Sequence, residues 1–164
     1  CSSDLIPLRH RHFLMPFFAR KMKLPKSMAA ISRLAKEYRV RIDVKFTARP
    51  RTTENLGRFL GRGLEDGATA VIFPQWMDFL PAIAYFSARG LEFPRDLSVV
   101  ALIGVANSRS YAPPIAGCLS SPDSFAQQAE VWVRSEKVEH DVLISVYNRT
   151  WESGGSIGPA PSRR

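Results

Sequence analysis

Four segments of the chain have the hydrophobic pattern of β-strands. Residues 11–18 form an apolar run of strand length, and residues 40–47 alternate apolar with polar side chains, which predicts a half-buried strand near a sheet edge. The continuous apolar runs over residues 69–73 and 97–103 predict strands that are covered on both faces.

Three segments between these strands carry apolar side chains at helical spacing, over residues 27–38, 52–65 and 75–89. Asp66-Gly67 and Gly90 follow the second and third of them, as is typical where helices end. Strands that alternate with helices of about a dozen residues are typical of βαβ units. The pattern therefore predicts an α/β fold, doubly wound, with a mainly parallel sheet and helices on both faces.

The last third of the chain continues this pattern and then loses it. A short apolar piece over residues 115–119 precedes a helix that begins at Ser121-Pro122, and residues 141–147 have the pattern of a strand. Residues 153–164 consist mostly of Gly, Ser, Pro and Arg. Because so few apolar groups are there to offset the entropy cost of ordering, we expect a flexible tail.

The composition indicates a soluble globular chain with one hydrophobic core. It has 164 residues, 45% of them hydrophobic, and no apolar run approaches the roughly 20 residues of a membrane-spanning helix. We therefore expect no membrane contact. The two cysteines, Cys1 and Cys118, do not have the spacing of a disulfide framework or of a zinc site. Residues 9–12 interrupt the apolar run that a secretory signal peptide needs. A cytoplasmic location is the simplest interpretation.

The positive charge of the chain is concentrated in its first part. Residues 1–62 contain 15 Lys and Arg against 4 Asp and Glu, and the formal net charge of the whole chain is +8. The basic residues are spread over several predicted elements, without the interleaved aromatic side chains that stack on nucleic acid bases. A solvated basic face is therefore favoured over direct contact with DNA or RNA.

No glycine-rich loop of the phosphate-binding kind follows a predicted strand. Gly57, Gly61 and Gly63 lie within a helical pattern, where packing roles are expected. His10 and His12 offer two metal ligands without a third close in sequence, which is too few for a defined site. We therefore predict no metal and no cofactor.

No catalytic set is apparent, and we predict that the chain is not an enzyme. His140 precedes a predicted strand and Cys118 lies in an apolar run, so neither is placed as a base or a nucleophile. Gln75 and Trp76 are better candidates for function, because they follow a buried strand and open α/β sheets bind ligands at the carboxyl ends of their strands. Packing of Trp76 in the core is the other interpretation.

One block of the sequence resembles a known family. It comprises Thr69-Ala-Val-Ile-Phe-Pro-Gln75, the helix end Ala88-Arg-Gly-Leu-Glu-Phe-Pro-Arg-Asp-Leu97, and Ser98-Val-Val with Tyr111-Ala-Pro-Pro. In this order and spacing the pieces resemble the second effector-binding lobe of the lac-repressor and purine-repressor (LacI/GalR) family. Residues 8–15 are similar to the strand that opens this lobe, and residues 151–161 resemble the family's C-terminal segment, so the likeness covers nearly the whole chain.

The resemblance implies a division of the chain into three parts. Residues 1–119 would form an α/β effector-binding lobe of periplasmic-binding-protein-like, Rossmann-like fold. Residues 120–152 would be a crossover helix and strand that pack on the first lobe, and residues 153–164 would be the flexible tail. The family's first lobe and DNA-binding headpiece have no counterpart here, so any contact with DNA would come from a headpiece outside this chain.

The function implied by the resemblance is ligand sensing in a transcriptional regulator. A small-molecule effector such as a sugar would modulate DNA binding by the headpiece. The apolar segment 121–150 would lack its partner lobe, and burying it predicts a homodimer, including one in which this segment is exchanged. The implied ligand-binding residues are Phe17, Arg20, Lys23, Arg49, Gln75, Trp76, Ile103 and Ser120.

Two alternatives to this function remain open. One is a fragment of an exported, periplasmic-type sugar-binding protein of the same fold. The other is a degenerate dimerisation module without a ligand. The second follows from Ile103 and Gly104, which stand where the family has an acidic pair and cannot accept hydrogen bonds from sugar hydroxyls.

Overall fold

The computed structural model of the chain describes residues 5–17, 25–46, 53–102, 105–120, 130 and 149–162. Across these residues six strands form one sheet. The strands are β1 (His12–Phe17), β2 (Arg41–Phe46), β3 (Ala70–Phe73), β4 (Ser98–Ala101), β5 (Ala116–Ser120) and β6 (Arg149–Glu152). The helices are α1 (Pro25–Glu37), α2 (Thr53–Glu65) and α3 (Trp76–Ala88), and a 3₁₀ turn covers Val105–Ser110.

The strand order is β2-β1-β3-β4-β5-β6. Strands β1 to β5 are mutually parallel, and β6 runs antiparallel to β5. The prediction of an α/β fold with a mainly parallel sheet is confirmed. Strand β2 lies at the edge of this sheet, as its alternating pattern predicted.

The core has two layers because successive side chains of a strand point to opposite faces of the sheet. On β1, Leu14 belongs to the layer under α2 and α3, whereas Phe13 and Met15 belong to the layer that Ile31 of α1 also contacts. Strand β3 alternates between the same two layers. Both faces of the sheet are therefore covered, which explains the continuous apolar runs in the sequence.

Helix α2 packs closely on its neighbours because it carries glycines. A Cβ atom on Gly57 would lie 2.7 Å from the ring of Tyr85, and one on Gly63 would lie 2.3 Å from Leu14 Cδ2. The packing role expected of these glycines is what the structure shows. Of the helices that the structure describes, none is long and apolar enough to cross a membrane.

The expectation of a flexible tail is wrong for residues 153–162, which pack against the sheet. The Ser156 carbonyl accepts a hydrogen bond from Val99 N at 2.9 Å. The Ser156 hydroxyl donates to Val99 O at 2.7 Å and accepts from Ala116 N at 2.8 Å, so this fully buried residue bridges β4 and β5. Backbone and hydroxyl hydrogen bonds order the segment, together with Ile157, which packs against the core.

Strand β6 was not predicted. It is a short edge strand that pairs with β5 from Gly117↔Glu152 to Ser120↔Arg149. Its four residues are too few to give a clear alternation. The helix predicted from Ser121 and the strand predicted over residues 141–147 lie outside the described residues.

Candidate functional site

Five strands end at the same edge of the sheet. Because β1 to β5 are parallel, their carboxyl ends, including those at Phe17, Phe73, Ala101 and Ser120, lie along this edge. Open parallel sheets bind ligands in the crevice beyond such an edge. We call it the carboxyl edge.

Gln75 lies at the carboxyl edge, between β3 and α3. It is the residue that caps the N-terminus of α3, with an extended backbone at φ −129° and ψ 141°. Its carbonyl accepts the first hydrogen bond of the helix, from Asp78 N at 3.1 Å. Its half-buried side chain makes no cap hydrogen bond to the helix.

Trp76 is the first residue of α3 and belongs to an aromatic cluster. Its ring centroid lies 4.9 Å from that of Phe79 and 5.4 Å from that of Tyr111, and Phe79 in turn contacts Phe73 at 5.5 Å. Trp76 is nevertheless half-buried rather than buried. Packing accounts for one part of its surface, and its role in ligand binding stays a prediction.

Asp78 is a residue at this edge that the sequence analysis missed. It lies in the first turn of α3, three residues after Gln75, and is only 1% exposed. A carboxylate at this place is favoured by the partial positive charge of the helix N-terminus. The signal that marks it in the sequence is an acid in a helix that is otherwise almost wholly apolar.

The other predicted ligand-binding residues are only partly placed. Phe17 is the last residue of β1 and is half-buried. Ser120 is the last residue of β5, described by its backbone alone. The other four lie outside the described residues, namely Arg20, Lys23, Arg49 and Ile103. The structure thus brings Phe17, Gln75, Trp76 and Ser120 to one edge of the sheet.

The opposite edge of the sheet is closed by a buried polar network around His10, which was also missed. His10 Nε2 donates a hydrogen bond to Gly158 O at 2.9 Å, and Nδ1 lies 2.9 Å from Thr69 Oγ1. Ser98 Oγ lies 3.0 Å from His10 Nε2 and accepts from Gly158 N at 3.0 Å. The network thus connects the C-terminal segment to three places on the sheet. These are His10 shortly before β1, Thr69 just before β3, and Ser98 at the start of β4.

The His10 network is built for packing rather than for chemistry on a substrate. Burial lowers the pKa of His10, against a smaller opposite effect of the hydrogen bond to the Gly158 carbonyl. The imidazole is therefore neutral near pH 7. His10 and Ser98 are both 0% exposed, so this histidine–serine pair does not meet solvent.

His12 makes a separate hydrogen bond at the start of β1. Its Nε2 atom lies 2.8 Å from Asp43 Oδ2, which also lies 2.8 Å from Arg41 Nη2. Burial acts to raise the pKa of Asp43, but the hydrogen bonds from Arg41 and His12 outweigh it and hold the pKa below its usual value. Within the described ranges, no group of three or more histidine, cysteine or acidic side chains is placed to bind a metal ion.

Solved structures with the same architecture are transcriptional regulators. A LacI family transcriptional regulator from Bifidobacterium animalis subsp. lactis matches 96% of this chain with a TM-score of 0.72 and 22% identity. A PurR family transcriptional regulator from Vibrio parahaemolyticus matches 96% of it with a TM-score of 0.73 and 14% identity. The fold is that of LacI-type regulators. The fold implied by the sequence resemblance is thereby confirmed.

This chain spans about 60% of the length of the LacI-type regulators that it matches, 59% for the Bifidobacterium protein and 60% for the Vibrio protein. A LacI family regulator from Arthrobacter, solved in complex with lactose, matches 94% of the chain with a TM-score of 0.68 and 11% identity. No protein-family model and no curated protein matches the sequence.

Proposed function

We propose that the chain is the effector-binding lobe of a LacI-type transcriptional regulator of the cytoplasm, in which a small molecule such as a sugar modulates DNA binding by a separate headpiece. The observation that carries the proposal is the coincidence of the LacI-type fold with polar and aromatic residues at its carboxyl edge. Catalysis is not part of this function.

The carboxyl edge offers chemistry that suits a sugar. Gln75 supplies an amide that both donates and accepts hydrogen bonds, Trp76 follows it in the chain, and Phe17 ends the neighbouring strand β1. Small-molecule sites combine a mostly apolar lining with a few polar groups of this kind. The Arthrobacter regulator, which shares the fold, is in complex with lactose.

Helix α3 supports the proposal of a homodimer. Met77 and Leu80 are 56% and 39% exposed on its outer side, while Phe79 and Phe86 are buried on its inner side. A helix that is apolar on both faces is typical of one that is covered on both faces. Exchange of residues 121–150 between protomers is the other dimer that we consider.

The test of the effector proposal is a calorimetric titration of the chain with a panel of monosaccharides and disaccharides that includes lactose. We expect one of them to bind and the substitution Gln75→Ala to weaken that binding about tenfold or more, because a site built to hydrogen-bond a hydroxyl loses a pairing group. The control is Ser87→Ala, an exposed position near the other end of the same helix, which should bind as the unmodified chain does.

A second candidate function, the dimerisation module without a ligand, is favoured by the packing of Trp76 on Phe79 and Tyr111. It predicts that no sugar binds, while the chain still forms a stable dimer. Binding that Gln75→Ala leaves unchanged would contradict the site proposed here and require another one.

A further inference from the structure

Three cations lie together between the edge strand β2 and helix α2. Among the described residues, Lys45 near the end of β2 and Asn55, Arg58 and Arg62 on α2 line one surface pocket. The pocket has a volume of about 110 Å³, well below the roughly 300–1,000 Å³ of pockets that enclose drug-sized ligands. Its size suits one small ionic group rather than a whole organic ligand.

Two of these cations are held in place by their neighbours. Arg58 Nη2 donates a hydrogen bond to Asn55 Oδ1 at 2.8 Å and lies 3.4 Å from Glu54 Oε1. The Lys45 ammonium lies over the ring of Phe59, 5.6 Å from its centroid, which is within the range of a cation–π interaction. Such contacts reduce the side-chain entropy that an incoming anion has to remove.

The carboxylates around this pocket pair with two arginines, Glu54 with Arg58 and both Asp43 and Asp66 with Arg41. Asp43 lies 2.8 Å from Arg41 Nη2, and Asp66 lies 3.5 Å from the same atom. In the part of the chain that the structure describes, neither Lys45 nor Arg62 makes an ion pair. With Arg58 paired to Glu54, the charges of Lys45 and Arg62 leave the pocket with a net positive charge.

The spacing of the two arginines concentrates this positive charge. Arg58 and Arg62 are four residues apart, so they face the same side of α2 and repel each other until an anion lies between them.

We propose that Lys45, Asn55, Arg58 and Arg62 form a binding site for a phosphate group, carried by inorganic phosphate or by a phosphate ester. The planar guanidinium groups donate paired hydrogen bonds to phosphate oxygens, and the ammonium adds a point charge. The site lies between β2 and α2, and strand β1 separates β2 from β3, which precedes Gln75. It therefore does not depend on the effector proposed for the carboxyl edge.

The test is a calorimetric titration of the whole chain with inorganic phosphate at constant ionic strength. We expect saturable binding that Arg62→Gln and Lys45→Gln each weaken about three- to tenfold. The matched control is Arg33→Gln, an exposed arginine on α1, which should leave phosphate affinity unchanged. Because Lys45 and Arg62 are exposed, both variants should keep the unfolding temperature of the unmodified chain.

A hexose phosphate and its parent hexose identify the source of the phosphate group. If the ester binds more tightly than inorganic phosphate, and Arg62→Gln loses this binding, the site is one for phosphate esters. If the ester and inorganic phosphate bind equally, the site recognises the phosphate group alone. The proposal is overturned if inorganic phosphate does not bind at tens of millimolar, or if Arg62→Gln and Lys45→Gln bind it as the control does. Binding of an oligonucleotide without binding of phosphate also overturns it.

Discussion

At the scale of single residues, His10 shows why polar side chains are difficult to interpret from sequence. In the sequence it is one of two histidines before an apolar run, and only the structure shows that it joins Thr69, Ser98 and Gly158. Its partner Gly158 lies 148 residues away. Hydrophobic periodicity reports local structure and contains no information about a contact of that kind.

The pH dependence of stability is the first prediction at this scale. The folded chain keeps His10 neutral because burial lowers its pKa, whereas in the unfolded chain its pKa is about 6.5. Below that pH the unfolded state binds more protons, so the free energy of unfolding falls as the pH drops from about 6.5 toward the folded pKa. The decrease is at most about 1.4 kcal/mol per pH unit.

Urea unfolding between pH 8 and pH 5 measures this effect, and His10→Gln, which cannot titrate, should have a flatter profile over the same range. The lowered pKa of Asp43 affects a different pH range. It raises the free energy of unfolding above about pH 4, and this stabilisation is lost only at lower pH. An NMR titration of the imidazole offers a direct check. A pKa of His10 above 6.5 would contradict the argument.

Gln75 and Trp76 were predicted from sequence for a simple physical reason. A buried parallel strand has to end at the carboxyl edge, so the residues that follow it lie where ligands bind in this class of sheet. Asp78 was missed, because an acid in a helix is usually exposed and its apolar neighbours do not by themselves show that this one is buried.

At the scale of the elements, the sequence pattern predicted strands β1 to β4 and helices α1 to α3 with boundaries within about two residues, and it marked the place of β5 only as a short apolar piece. Each of these elements buries a face, so the spacing of its apolar residues reports its geometry. Strand β6 and the segment 153–162 are different. They are held in part by hydrogen bonds through Ser156 and by the close approach of glycine backbones. Contacts of these two kinds produce no hydrophobic pattern in the sequence.

The substitution Gly154→Ala tests how tightly this C-terminal segment packs. A Cβ atom on Gly154 would lie 2.3 Å from Pro114 O and 2.4 Å from Ala116 N. Because both are backbone atoms, the strain cannot be relieved by turning a side chain, and we expect a loss of about 2–3 kcal/mol in the free energy of unfolding.

Urea unfolding at neutral pH provides the measurement, and the exposed neighbour Ser153 provides the control. Ser153→Ala should change the free energy of unfolding by no more than about 0.5 kcal/mol. If Gly154→Ala were as stable as Ser153→Ala, the segment would not be held against the residues before β5 as the structure has it.

At the scale of the whole molecule, the two edges of the sheet have different roles. The His10 network and residues 153–162 close the amino edge with buried hydrogen bonds, whereas the carboxyl edge has half-buried side chains such as Gln75 and Trp76. A lobe with one edge fixed and the other accessible is suited to hold a ligand without changing its own fold. This division supports the effector proposal independently of the sequence resemblance.

The last prediction concerns the dimer. Burial of Met77 and Leu80 on α3 would stabilise association by about 25 cal/mol for each Å² of apolar surface removed from water. Light scattering should therefore give a dimer for the unmodified chain at micromolar concentrations and a monomer for the double variant Met77→Glu, Leu80→Glu. Tyr38→Glu is the matched control, since Tyr38 is 42% exposed just after α1 and not on α3.

The masses of the unmodified chain, the double variant and Tyr38→Glu together distinguish a dimer through α3 from a dimer that exchanges residues 121–150. If the double variant is monomeric and Tyr38→Glu stays dimeric, the interface lies on α3, because a charge on a face that remains in water does not affect association. A dimer that persists in the double variant requires contacts elsewhere, and exchange of residues 121–150 then becomes the explanation, since an exchanged segment keeps its contacts whichever charge α3 carries. A monomeric unmodified chain would rule out both dimers and with them the dimerisation part of the proposed function.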